Sequence, residues 1–131
     1  MSFESQVQQL ARLSHVNLAN VTSVGASAKY RFGDYVQTVM IVPYDGLWEF
    51  SCLTVFASSD LDGFPKMLLA DTLRKNAKVK TGFWCIEDIK DRKVLSYMHN
   101  HQEADLSPKR FSDICYDVTH HVQELEKAFR S

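Results

Sequence analysis

Two histidines one residue apart, His99 and His101, are the pair in this chain whose spacing could most directly do chemistry. On a β-strand, side chains at i and i+2 leave the same face, so an H-x-H pair presents two imidazoles side by side, as metal sites do. A third ligand would have to come from Glu103 or Asp105 just beyond. Without one, the expectation is solvated histidines at a strand end and no metal. A second pair, His120-His121, falls on a helical stretch where adjacent residues diverge by about 100°, which does not suit one ion and predicts solvent-facing rings. Cys52, Cys85 and Cys115 stand far apart and odd in number, so neither a disulfide framework nor a paired metal spacing follows. All three fall on apolar stretches, where a thiolate is disfavoured, and they read as small buried hydrophobes rather than nucleophiles. Glu87, Asp88 and Asp91 gather where a charged turn would keep a hairpin soluble. The glycines stand singly, with no glycine-rich loop ahead of a helix, so no nucleotide site is expected. The residues call for no cofactor and no catalytic group.

Composition narrows the class further. At 131 residues with 45% apolar, the chain is the size and hydrophobicity of one globular domain spanning residues 1–131. Fifteen basic residues against 16 acidic ones leave a formal charge of −1, with neither sign gathered into a block. Nucleic acids and anionic membranes are bound through basic stripes, so neither is expected as a partner. No basic region followed by an apolar run opens the chain and no stretch of about 18 apolar residues occurs, which predicts a cytoplasmic protein.

The elements that must position these residues follow from periodicity. Phe3, Val7, Leu10 and Ala11 recur at helical spacing from Phe3 to about His15. From Val21, the even positions Val24, Ala26, Ala28, Tyr30 and Phe32 alternate with polar neighbours, which predicts one strand with a single buried face. Gly33 supplies a hairpin turn into a strand over Tyr35–Val42. Pro43-Tyr44-Asp45-Gly46 is a second turn, leading to a strand over Leu47–Ala57. A polar linker then precedes a helix from Pro65 to Ala77, whose Met67-Leu68-Leu69-Ala70 run is wider than one stripe. Gly82-Phe83-Trp84 opens a strand, the charged turn around Asp91 closes it, and a second strand returns from Val94 to His101. Ser107 and Pro108 are an N-cap and first helical residue for a helix carrying Phe111, Ile114, Cys115, Val118, Val122, Leu125 and Phe129 on one stripe. The fold class is therefore α+β, in the order α-βββ-α-ββ-α, with an antiparallel five-stranded sheet and helices packed on it.

The run from the leucine-rich helix ending at Asn76-Ala77, through Gly82-Phe83, the charged turn and the second strand, to Leu106-Ser107-Pro108 resembles the YbjN-like family, which shares the type III secretion chaperone-like fold. The resemblance implies a non-enzymatic, protein-binding domain, chaperone-like or regulatory, often a homodimer, that holds a polypeptide partner. It carries over no catalytic residue. Secretion chaperones of this fold are markedly acidic, whereas this chain is nearly neutral, which favours the broader YbjN-like group over an effector chaperone. The surplus of apolar and aromatic side chains at Phe64, Met67, Leu68, Phe83 and Trp84 makes these the expected dimer or partner interface. The competing reading is a small-ligand sensor or enzyme, with a pocket between the C-terminal helix and the sheet near Trp48, Tyr97 and His99.

Overall fold

The computed structural model describes residues 1–130 as three helices and a six-stranded antiparallel sheet. In chain order these are α1 (Phe3–Ser14), β1 (Leu18–Thr22), β2 (Gly25–Phe32), β3 (Tyr35–Tyr44), β4 (Leu47–Ser58), α2 (Lys66–Asn76), β5 (Phe83–Ile89), β6 (Arg92–Gln102) and α3 (Pro108–Phe129). Single 3-10 turns at Leu61–Gly63 and Glu103–Asp105 lead into α2 and α3. The strands lie in the order β1-β2-β3-β4-β6-β5.

The sheet has six strands, not the five expected, because the stretch around Val21 is a hairpin rather than the start of one strand. Thr22 makes the turn locally: its hydroxyl accepts from the Val24 N–H at 3.2 Å and donates to the Gly25 carbonyl at 3.3 Å, so the backbone reverses within three residues. Asn20 takes a left-handed φ of 53°, within the register shift between Ala19 and Thr22. Val24 matches the period-2 pattern only by coincidence; it occupies the turn and is exposed. At the other end of the chain, Ser107 accepts from the Arg110 N–H and Pro108 opens α3, as the cap pattern requires.

All three helices contribute to one core on one face of the sheet. Inward residues Ala26 and Ala28 of β2, Val39 and Ile41 of β3, Trp48, Phe50 and Cys52 of β4, and Leu95 and Tyr97 of β6 meet the α3 stripe from Phe111 to Leu125, with Val7 and Ala11 of α1 and Leu68 of α2. Phe111 is the hub: its ring meets Trp48 edge-on at 6.3 Å and Phe50 at 5.9 Å. Burying such side chains contributes roughly 1.5–3 kcal/mol each before conformational entropy is subtracted. The opposite face carries Lys29, Met40, Leu53 and Phe83, all exposed.

Gly82 shows how tightly the second half is fitted. Its φ of +84° is unfavourable for any side chain, and a Cβ there would lie 2.6 Å from Tyr97 Cε2 and 2.8 Å from the Met98 carbonyl. The close approach lets the Tyr97 hydroxyl donate to the Thr81 carbonyl.

Candidate functional site

The histidine pair is positioned by β6 as its spacing predicted, with both rings on one face. His99 Nε2 lies 3.1 Å from His101 Nδ1, so the two rings engage each other. His101 Nε2 in turn lies 3.3 Å from Asp105 Oδ2, within ion-pair reach but poorly aligned for a hydrogen bond. Burial, reinforced by His101 and Arg110, pulls the His99 pKa down to about 4. At neutral pH His99 is an uncharged member of a packed pair, so the two rings are half-buried against each other rather than solvated as expected. Among the described residues no group of three or more His, Cys, Asp or Glu has the arrangement of a metal site.

The other titratable candidates are wholly or partly buried. Burial raises the Cys115 pKa; burial, then Glu126, pushes Cys52 up to about 12; and burial, then Glu87 and Glu49, pushes Cys85 up to about 11. None is poised as a thiolate. His120 and His121 are not free in solvent as expected: both are half-buried, His120 stacked on Tyr116 and His121 on Tyr97, with ring centroids 5.4 and 4.2 Å apart. Of the three residues expected around a ligand pocket, Trp48 borders a cleft of about 260 Å³ with Gln6, Leu10 and Leu13 of α1 and with Leu106 and Pro108, whereas Tyr97 is packed between rings. Phe3 and Phe111 pack on Trp48, and Trp84 and His121 on Tyr97.

Two clefts combine apolar linings with exposed apolar rims. The first is an apolar groove of about 300 Å³ between α2 and β5, lined by Leu61, Leu69, Thr72, Leu73, Trp84, Cys85, Ile86 and Leu95. Asn76, the last residue of α2, fixes the helix there: its side-chain amide donates to the Trp84 carbonyl at 3.0 Å and its oxygen accepts from the Trp84 N–H at 2.6 Å. Of the five residues expected at an interface, the structure buries Phe64, Leu68 and Trp84 in the chain's own core. Met67 and Phe83 remain accessible, Met67 at 78%. Leu68 and Met67 are neighbours on a helix and diverge by about 100°, so the wide apolar run splits between core and surface.

The second surface was not anticipated. The β3–β4 ladder runs from Tyr44↔Leu47 to Val39↔Cys52 and stops, although both strands continue. Between Leu53 and Ala57, β4 places three residues against the single Leu95 of β6, a bulge stitched by the Thr54 hydroxyl, which donates to the Leu95 carbonyl and accepts from the Phe56 N–H. This bends β4 away from β3 and leaves a slot of about 350 Å³ lined by Tyr35, Val36, Gln37, Thr38, Met40, Leu53, Thr54, Val55 and Glu126. Glu126 of α3 closes its floor, accepting from the Gln37 amide at 2.8 Å and from the Val55 N–H at 2.8 Å, while Gln123 accepts from the same Gln37 amide at 3.0 Å. Gln37 was readable as inward, since it shares a period-2 face with Val39 and Ile41. Gln123 and Glu126 flank the Val122-Leu125 stripe closely enough that burial was also readable.

No protein-family model matches the chain, and no curated protein does. Solved structures do. YbjN from E. coli, a candidate transcription regulator, superposes at a TM-score of 0.67 with 15% identity, over 96% of this chain and 92% of that one. A chain of the heterodimeric ExoU-SpcU complex from the type III secretion system of Pseudomonas aeruginosa superposes at a TM-score of 0.62 with 11% identity, over 94% of this chain and 93% of that one. The chain has the YbjN-like, secretion chaperone-like fold. Within that fold, the groove beside α2 and the slot between β3 and β4 are two apolar surfaces that the core leaves uncovered. No helix among the described residues is long and apolar enough to cross a membrane.

Proposed function

We propose that the chain is a non-enzymatic polypeptide-binding module, chaperone-like or regulatory, that works as a homodimer. The observation that carries this reading is the α2–β5 groove, whose lining is almost wholly apolar and whose helix turns Met67 and Leu73 outward, Leu73 at 71% exposure. Apolar side chains held that far out by a helix anchored through Asn76 serve no core, and such patches are where second chains dock. A small-molecule site of this size would need convergent polar groups to orient its ligand, and beside the Thr72 hydroxyl, which is spent on the Leu69 carbonyl, the lining offers only the Trp84 indole N–H and the Cys85 thiol. The fold shared with the ExoU-SpcU chain, whose structure is described as a heterodimer, supports a polypeptide as partner.

Size-exclusion with light scattering on the wild type and on a Met67→Glu, Leu73→Glu double variant tests the dimer. A dimer that becomes a monomer in the variant supports it, and a wild-type monomer overturns it. A photo-crosslinking residue at Met67 or Leu73, installed in the protein in its own host, tests the partner. Adducts with another polypeptide support the reading, and absence of any adduct overturns it.

A further inference from the structure

We infer that the slot between β3 and β4 is a second binding site, which takes an extended polypeptide segment carrying a lysine or arginine among apolar residues. This rests on the reading of the chain as a polypeptide-binding module and gives it a location and a sequence preference.

The backbone specifies an extended occupant. From Tyr35 to Thr38, β3 pairs with β2 along one side, through Phe32↔Tyr35 to Lys29↔Thr38, and has no strand partner along the other. A strand edge flanking a cleft is a template for one more strand, because main-chain N–H and C=O groups along it can pair with any extended segment. The side chains around the opening are apolar and outward: Tyr35, Val36, Met40, Leu53 and Val55 are all exposed, Val55 at 77%. An alternating segment laid along β3 would place every second side chain on this patch.

The charge comes from Glu126. It is only 5% exposed, yet it forms none of the ion pairs found among the described residues. Its two hydrogen bonds come from neutral donors, the Gln37 amide and the Val55 N–H, and a carboxylate can accept about four. Arg130, close by at the end of α3, has its guanidinium 3.5 Å from the centroid of the Tyr35 ring at the rim. A buried carboxylate at the floor of an apolar slot is complementary to a cation arriving with the occupant, and pairing there is weakly screened by salt.

The test uses the full chain and a short fluorescein-labelled peptide alternating valine and threonine with lysine at its centre, beside twins with norleucine or glutamate in that place. Fluorescence anisotropy is expected to show the lysine peptide binding at least about tenfold more tightly than the glutamate one. Backbone amide shifts on binding should fall on Tyr35–Thr38 and Leu53–Phe56. Glu126→Gln should abolish the preference for lysine. Val55→Arg, at an exposed rim position that leaves the core untouched, should do the same by supplying its own cation. Equal affinity for the three peptides, no binding of any, or shifts confined to α2 and β5 would each overturn the slot. The parent reading fails separately, on absence of polypeptide adducts at Met67 and Leu73.

Discussion

The side chain of Glu126, near the end of the last helix, accepts a hydrogen bond from the main-chain N–H of Val55, in the middle of the sheet's longest strand. A helix carboxylate thus stands where a neighbouring strand's carbonyl would otherwise be. The break in the sheet and the polar edge of α3 are one feature seen from two sides.

Removing that carboxylate should be costly. Glu126→Ala leaves the Val55 N–H and one Gln37 donor without their acceptor in a buried setting, a loss of about 1–3 kcal/mol. Urea titration should show a lower midpoint with an unchanged slope. Gln37→Ala and the double variant complete a cycle, and the two effects should not add, because both residues belong to one network.

Gly82→Ala should destabilise by roughly 1–3 kcal/mol, since it combines a positive φ with a contact that neither the Tyr97 ring nor the Met98 backbone can relieve without moving. Thermal melting followed by near-ultraviolet circular dichroism would report both the lower Tm and the disturbed Tyr97 environment.

Phe111→Ala should cost about 3–5 kcal/mol, because the ring sits between Trp48 and Phe50 with no solvent to refill the space. Met67→Ala, on an exposed side chain, should leave the unfolding free energy of the monomer within about 0.5 kcal/mol of wild type. The contrast measures how sharply the α2 run divides between core and surface.

Acid should weaken the fold through His99. Its folded pKa of about 4 lies below the ordinary 6.5, so the unfolded chain binds the proton more readily. The stabilisation is fully present above about pH 6.5 and is lost as pH falls toward 4; His121, also lowered chiefly by burial, acts in the same direction. Tm measured across this window should decline in the wild type and decline less steeply in His99→Gln.

Most of this architecture could be read from spacing alone. The α3 stripe, its Ser107-Pro108 start and the β3–β4 turn follow from local rules acting on adjacent residues. The first hairpin was hidden because Val24 continued an alternation that the Thr22 hydroxyl interrupts. The division of the α2 run was half visible: four apolar residues in a row announce surplus, but only packing into the rest of the core decides that Leu68 goes in and Met67 stays out. The slot was least legible, because it depends on a register that ends early. Nothing in Gln37, Thr54 or Glu126 taken singly says that three distant segments meet there.

Asn76 has a consequence for assembly. Its amide makes both hydrogen bonds that a neighbouring strand would make to Trp84, so the outer margin of β5 is already terminated at that residue. Two copies meeting at α2 cannot merge their sheets into one continuous ribbon through Trp84. At that residue they must meet through side chains, so association there can be reversed without unzipping a strand.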